Sequence, residues 1–349
     1  MNKRIEDKDR VAYADALKVI AAFSVVFLHV AAGGWNTAVV GTLQWHAFNM
    51  YDSLVRFGVP VFVMVSGMFL LNPEKDLSCS HIYKKYIPKI TVSFVSWSIL
   101  YALYPVAVGG LQFERDKFAR DFIFGHYHMW YLYMIVGLYM ALPIIRRVTQ
   151  DRKSTEYFMV LSVIFAFSMP FAAKLIQSED FTTFIRKFDL NIVLGYSGYF
   201  VAGYYIGEYE LKNKTRALFY VLGVLGVLAT AYFTYLLSMN SGKPDALFYS
   251  YLSPNVMLAS IGVFVFFRYE VSKICFGKNS LKVLNTLSEC SFRIYLVHDF
   301  FNMILRDNGI DILSYNGFLS VPVIALLVFA FSFIASYIIG KTPVLNKIL

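Results

Sequence analysis

Ten mostly apolar stretches, each near the roughly 20 residues that a helix needs to cross hydrocarbon, recur at 11–32, 47–71, 87–108, 124–145, 157–176, 190–207, 217–238, 247–267, 283–303 and 318–340. This pattern sets the fold class, an all-α polytopic membrane helix bundle of about ten transmembrane helices in one domain over 1–349. Composition agrees: 58% hydrophobic and 18% aromatic against 16% charged leaves too few charges to coat a water-soluble sphere. Soluble, disordered, coiled-coil and disulfide-stapled classes are excluded. The net charge of +9 does not point to nucleic acid, because the basic residues fall between apolar stretches and form no single patch.

Those basic residues give the orientation. Alternate connections gather twenty Lys and Arg on one side, including Lys75, Lys84, Lys85, Arg146, Arg147 and Lys341, and only eight on the other. The positive-inside rule then puts both termini in the cytoplasm, as an even number of spans requires. Residues 1–32 resemble a secretory signal, with Ala31-Ala32-Gly33 as a cleavage site, but Asp15, Lys18 and His29 interrupt the apolar region and make it a first span. Cys79, Cys275 and Cys290 show no metal or disulfide spacing and are expected to be packing residues.

Candidate chemistry concentrates inside the spans, where ionisable groups are costly and must face the bundle interior or water. Lys18 and His29 are eleven residues apart, within about 20° of three full helical turns, so they share a face about 16 Å apart along the axis. Asp15, three residues before Lys18, is placed to pair with it. Two readings fit: a structural ion pair beside an interfacial histidine, or a catalytic face whose imidazole takes and returns a proton near neutrality and so activates a hydroxyl. Three ionisable groups on one face favour the second.

In the second span, Gly58 and Pro60 are expected to break the helix beside the intramembrane cation Arg56, either to line a cavity or as a packing kink that Ser66 and Gly67 let approach a neighbour. Lys84, Lys85 and Lys89 enter the third span. They fit an anchor on anionic lipid, the reading local sequence favours, or a grip on the phosphates of a nucleotide-type cofactor. His126, His128, Trp130 and Tyr131 open the fourth span, and Tyr295 and His298 lie late in the ninth. His126 and His128 are two apart, do not share a helix face and have no acidic or thiol partner at ligand spacing, so no metal is expected.

Taken in order, Tyr13-Ala14-Asp15-Ala16-Leu17-Lys18, His29, Gly58-Val59-Pro60-Val61-Phe62 to Ser66-Gly67, the basic stretch before Trp97, His128-Met129-Trp130-Tyr131-Leu132 with Tyr139 and Pro143, and Ser291-Phe292-Arg293-Ile294-Tyr295-Leu296-Val297-His298 resemble acyltransferase family 3, near its bacterial surface-polysaccharide O-acetyltransferases. The resemblance covers nearly the whole chain. It implies an integral-membrane enzyme of the bacterial cytoplasmic membrane that moves an acyl group, usually acetyl, from cytoplasmic acyl-CoA to a hydroxyl of a cell-envelope glycan or lipid-linked sugar, with no permanently bound cofactor. His29 matches the family's essential histidine and Lys18 its basic partner, with Asp15 beside it. Where the family carries two arginines three apart, this chain has Lys84, Lys85 and Lys89 around Tyr86.

The mechanism so implied docks the CoA phosphates on Lys84, Lys85, Lys89, Arg146 and Arg147. His29 acts as general base, or alternatively as acyl-carrying nucleophile. Arg56, His128, Trp130, Tyr131, Tyr295 and His298 are candidates to hold the acceptor or the oxyanion. A transporter or flippase of envelope glycan or lipid is the rival from another class, and a non-catalytic membrane anchor is a third reading.

Overall fold

The structure, a computed structural model, describes residues 7–75, 77–187 and 195–342, with side chains from residue 12 onward and excepting Arg186. Lys3, Arg4, Lys347 and residues 190–194, which entered the topology above, lie outside the described residues. Every regular element among the described residues is helical: α1 (Asp7–Thr37), α2 (Leu43–Val55), α3 (Gly58–Leu70), α4 (Cys79–Ala107), α5 (Arg115–Phe124), α6 (Trp130–Val148), α7 (Arg152–Ile176), α8 (Glu179–Arg186), α9 (Ser197–Glu208), α10 (Asn213–Ser241), α11 (Pro254–Tyr269), α12 (Lys278–Asp307) and α13 (Gly317–Lys341).

Eight of the expected spans coincide with helices or helix pairs among the described residues that are long and apolar enough to cross a membrane. The other two are 190–207, represented by the 12-residue α9, and 283–303, within the 30-residue α12 that carries charged groups along its length. The outward faces are what a lipid-embedded bundle needs. On α10, Leu218, Val221, Val224 and Leu228 are all more than half exposed, a surface that would aggregate in water and is at no cost against hydrocarbon.

Local chemistry shapes the elements that frame the interior. Gly58 and Pro60 do break the second span, at Arg56–Phe57, where α2 ends and α3 begins. α4 opens through a π-helical stretch, Ile82–Tyr86. Asp151 caps α7, and the Ser154 backbone N–H donating to it at 2.8 Å helps hold its carboxyl below the usual carboxylate range.

α1 is the central helix and packs on α2, α3, α12 and α13. α3 lies against α9 so closely that a Cβ on Gly67 would overlap the Phe200 carbonyl, and one on Gly203 would overlap the backbone of Met64. Only glycine allows that approach, as the small residues at 66–67 anticipate. Of the cysteines, Cys290 is buried in the core, while Cys79 and Cys275 are exposed and therefore are not the packing residues expected.

Candidate active site

Four of the chain's six histidines meet where α1, the entry to α6 and α12 converge. His29 faces this interior. Its Nδ1 lies 2.7 Å from His298 Nε2, with the two rings nearly parallel at a centroid distance of 4.9 Å. On its other side, His298 Nδ1 lies 2.6 Å from the Tyr295 carbonyl oxygen. A carbonyl only accepts, so His298 carries its proton on Nδ1 and presents Nε2 as acceptor. His29 must then donate from Nδ1, which leaves the lone pair on its Nε2. A backbone carbonyl thus fixes the tautomer of a histidine on another helix through an intervening imidazole, as the carboxylate does in a Ser-His-Asp triad.

The surrounding shell is aromatic. Tyr127 meets His29 edge to face at 5.4 Å, and His128 lies 4.9 Å from His298 and 6.0 Å from His29 between ring centroids. Tyr295 donates its hydroxyl to the His128 carbonyl at 2.6 Å, which ties α12 to the turn before α6. That turn, Tyr127–Met129, is a 3-10 helix entered from extended backbone at His126. On an α-helix His126 and His128 would point apart. In this turn their Nδ1 atoms are 3.0 Å apart, and α12 supplies the acidic partner that local spacing lacked: Asp299 Oδ2 lies 3.4 Å from His126 Nδ1.

Below the histidines is a cavity of about 420 Å³ between α1, α3, α4, α6 and α12. Lys18, Lys75 and Lys89 mark its basic end, Phe62, Phe69 and Tyr139 line its walls, and Val25, Tyr131 and Tyr295 lie towards the histidines. Lys18 and Lys75 both place their ammonium groups over the Phe69 ring, at 5.1 and 5.2 Å. His29 does not line this cavity; Val25, four residues earlier on α1, does. The half-buried ring stands one turn beyond the cavity.

The remaining candidates divide. Asp15 pairs with Lys18 at 3.1 Å, as their spacing predicts, and also accepts from the Ser288 hydroxyl at 2.6 Å. Of the five cations expected to hold CoA, only Lys89 lines the cavity. Lys84, Lys85 and Arg147 are exposed, and Arg146 is committed to the backbone carbonyls of Asn72, Pro73 and Lys75. Arg56 is bound to buried Asp52 at 2.7 Å and stacked 4.0 Å over Tyr249, and it does not line the cavity. Tyr131 lines the cavity 5.3 Å from Tyr295, whereas Trp130 packs against Tyr196 and Tyr251.

Sequence reasoning missed Lys75, His126, Tyr127 and Asp299 as members of this centre. Asp299 had a usable signal, since an ionisable residue in an apolar helix marks an interior site.

Comparison with known proteins gives the family. The family described as an acyltransferase domain, acyltransferase family 3, matches residues 11–341. A protein of Bacillus subtilis (strain 168) named "Putative membrane-bound acyltransferase YfiQ" is 25% identical over 314 residues, covering 82% of this chain and 80% of its own. No solved structure matches the chain.

Proposed function

The chain belongs to acyltransferase family 3, and from that premise we propose that it transfers an acyl group, acetyl first, from cytoplasmic acyl-CoA to a hydroxyl of a cell-envelope polysaccharide or lipid-linked glycan. It does so in the bacterial cytoplasmic membrane, with both termini inside. The observation that carries the reading is the relay from the Tyr295 carbonyl through His298 to His29, standing one turn beyond a cavity with lysines at its other end.

The lysines sort the substrates. Lys18, Lys75 and Lys89 offer point charges to CoA phosphates at the basic end, with Lys84 and Lys85 outside it. The apolar and aromatic walls suit the pantetheine arm, which carries the thioester towards Tyr131 and Tyr295. Those two side chains move aside to let the thioester carbonyl reach His29. The acceptor hydroxyl arrives from the opposite side of the membrane. His29 Nε2 removes its proton as the oxygen attacks the thioester carbon, the Nδ1–H bond to His298 steadies the resulting imidazolium, and the tetrahedral intermediate collapses with expulsion of the CoA thiolate. The imidazolium proton then passes to the thiolate, which leaves the enzyme as it began.

Mass spectrometry of surface glycans tests this in a deletion strain complemented with each variant. Wild type restores an ester of defined mass, His29→Ala does not, and Lys18→Arg restores more than Lys18→Ala. Transfer retained by His29→Ala refutes the base. A transporter would export glycan without releasing CoA thiol from acyl-CoA, so thiol release by the purified protein separates the two classes.

A further inference from the structure

We propose that His126, His128 and Asp299 bind one divalent transition-metal ion, with Zn²⁺ the best match, immediately beside the His29–His298 pair. One ligating atom from each of the three lies within 4.8 Å of the others. His126 Nδ1 is 3.0 Å from His128 Nδ1 and 3.4 Å from Asp299 Oδ2. Ligand atoms about 2.0–2.1 Å from a tetrahedral Zn²⁺ sit about 3.3 Å from one another, so the two separations at His126 match edges of a coordination polyhedron. Two imidazoles and a carboxylate are also the donor set that catalytic zinc sites use, with a fourth position left for water or substrate.

Protons account less well for the same contacts. Only one proton fits between the two Nδ1 atoms: on His126 it is shared between His128 Nδ1 and Asp299 Oδ2, whose 3.4 Å arm is long for a hydrogen bond, and on His128 it leaves a His126 lone pair facing the carboxylate. Asp299 is 3% exposed, and among the described residues no lysine or arginine pairs with it. A buried carboxylate needs compensating charge. A dication between the three groups supplies that charge and gives each lone pair a partner.

The neighbours hold the ligands in place, as outer-shell partners of metal sites do. Asp299 Oδ1 accepts from the Tyr127 hydroxyl and the Asn302 amide, both at 3.1 Å, which turns Oδ2 towards the histidines. His126 stacks on Tyr101 at 4.4 Å, and the Tyr101 hydroxyl is itself fixed between the Leu296 carbonyl and the Phe300 N–H. The His126 side chain is 22% exposed, which gives an ion a way in. None of this depends on which acyl donor or acceptor the enzyme uses.

The test is metal content of the whole protein, purified in detergent on a histidine-free tag. Elemental mass spectrometry should find one ion per chain, and Co²⁺ added after chelator stripping should give the visible absorption of a low-coordinate complex. His126→Ala, whose ring is at the rim, and Asp299→Asn should both drop to background while eluting as wild type on size exclusion. The wild-type stoichiometry is read by itself, so a variant that fails to fold does not suspend the result. Wild type that takes up neither Zn²⁺ nor Co²⁺ overturns the site, leaving protons alone to hold the three groups together. Folded variants that keep the ion overturn it equally, by putting the metal elsewhere.

Discussion

Replacing His298 by alanine removes the acceptor that holds His29 Nδ1–H at 2.7 Å and frees His29 to take the wrong tautomer. When His29 carries a second proton in the transition state, that bond becomes charge-assisted and is worth about 1.5–3 kcal/mol. At 1.36 kcal/mol per decade, kcat should fall about 10- to 150-fold. His29→Ala should cost about 10²- to 10⁴-fold, the range for losing a general base. His298 does not line the cavity, so KM for acyl-CoA should stay near wild type. Since His298 acts through His29, the His29→Ala/His298→Ala double variant should be no slower than His29→Ala alone. His298→Gln, whose amide oxygen can accept, should recover part of the loss. The assay is CoA thiol release by purified protein, with kcat and KM resolved and size exclusion as the folding control. Wild-type kcat in folded His298→Ala, or losses that multiply in the double variant, would refute the relay.

Two further outcomes concern the bundle itself. Arg56→Met strands Asp52, which is fully buried, and should cost about 3–5 kcal/mol, visible as a lower melting temperature in detergent; adding Asp52→Asn should recover most of it, and an unchanged single variant would contradict the pairing. Gly67→Ala puts a methyl group into the Phe200 carbonyl and should destabilise by about 1–3 kcal/mol or more, whereas Gly137→Ala, with open space around it, should melt like wild type.

What the sequence made legible was whatever depends on spacing along one helix. The shared face of Lys18 and His29, the Asp15–Lys18 pair, the break beside Gly58 and Pro60, and the close approach at Gly67 are all local consequences of helix geometry. The Asp52–Arg56 pair, four residues apart, is a local consequence of the same kind, though the sequence reading did not draw it. Contacts between distant segments were not legible. Nothing in residues 124–131 says that a 3-10 turn will bring His126 and His128 together, or that α12 will present Asp299 to them and His298 to His29. The basic cluster was legible only in part: Lys89 lines the cavity while Lys84 and Lys85 are exposed on the π-helical stretch, and a loop lysine, Lys75, joins Lys89 there from a segment whose position no local spacing gives.

The backbone contact between α3 and α9 has a mechanical corollary. Helices separated by side chains can slip as rotamers readjust, but two main chains in direct contact have no such cushion, and any sliding drives carbonyls into one another. The pair is a stiff rib, so the wall that Phe62, Ser66 and Phe69 give the chamber stays put through a turnover. In the proposed reaction, then, the movement that admits the thioester to His29 falls to the far wall, where the Tyr295 hydroxyl's latch on the His128 carbonyl can open by turning one side chain.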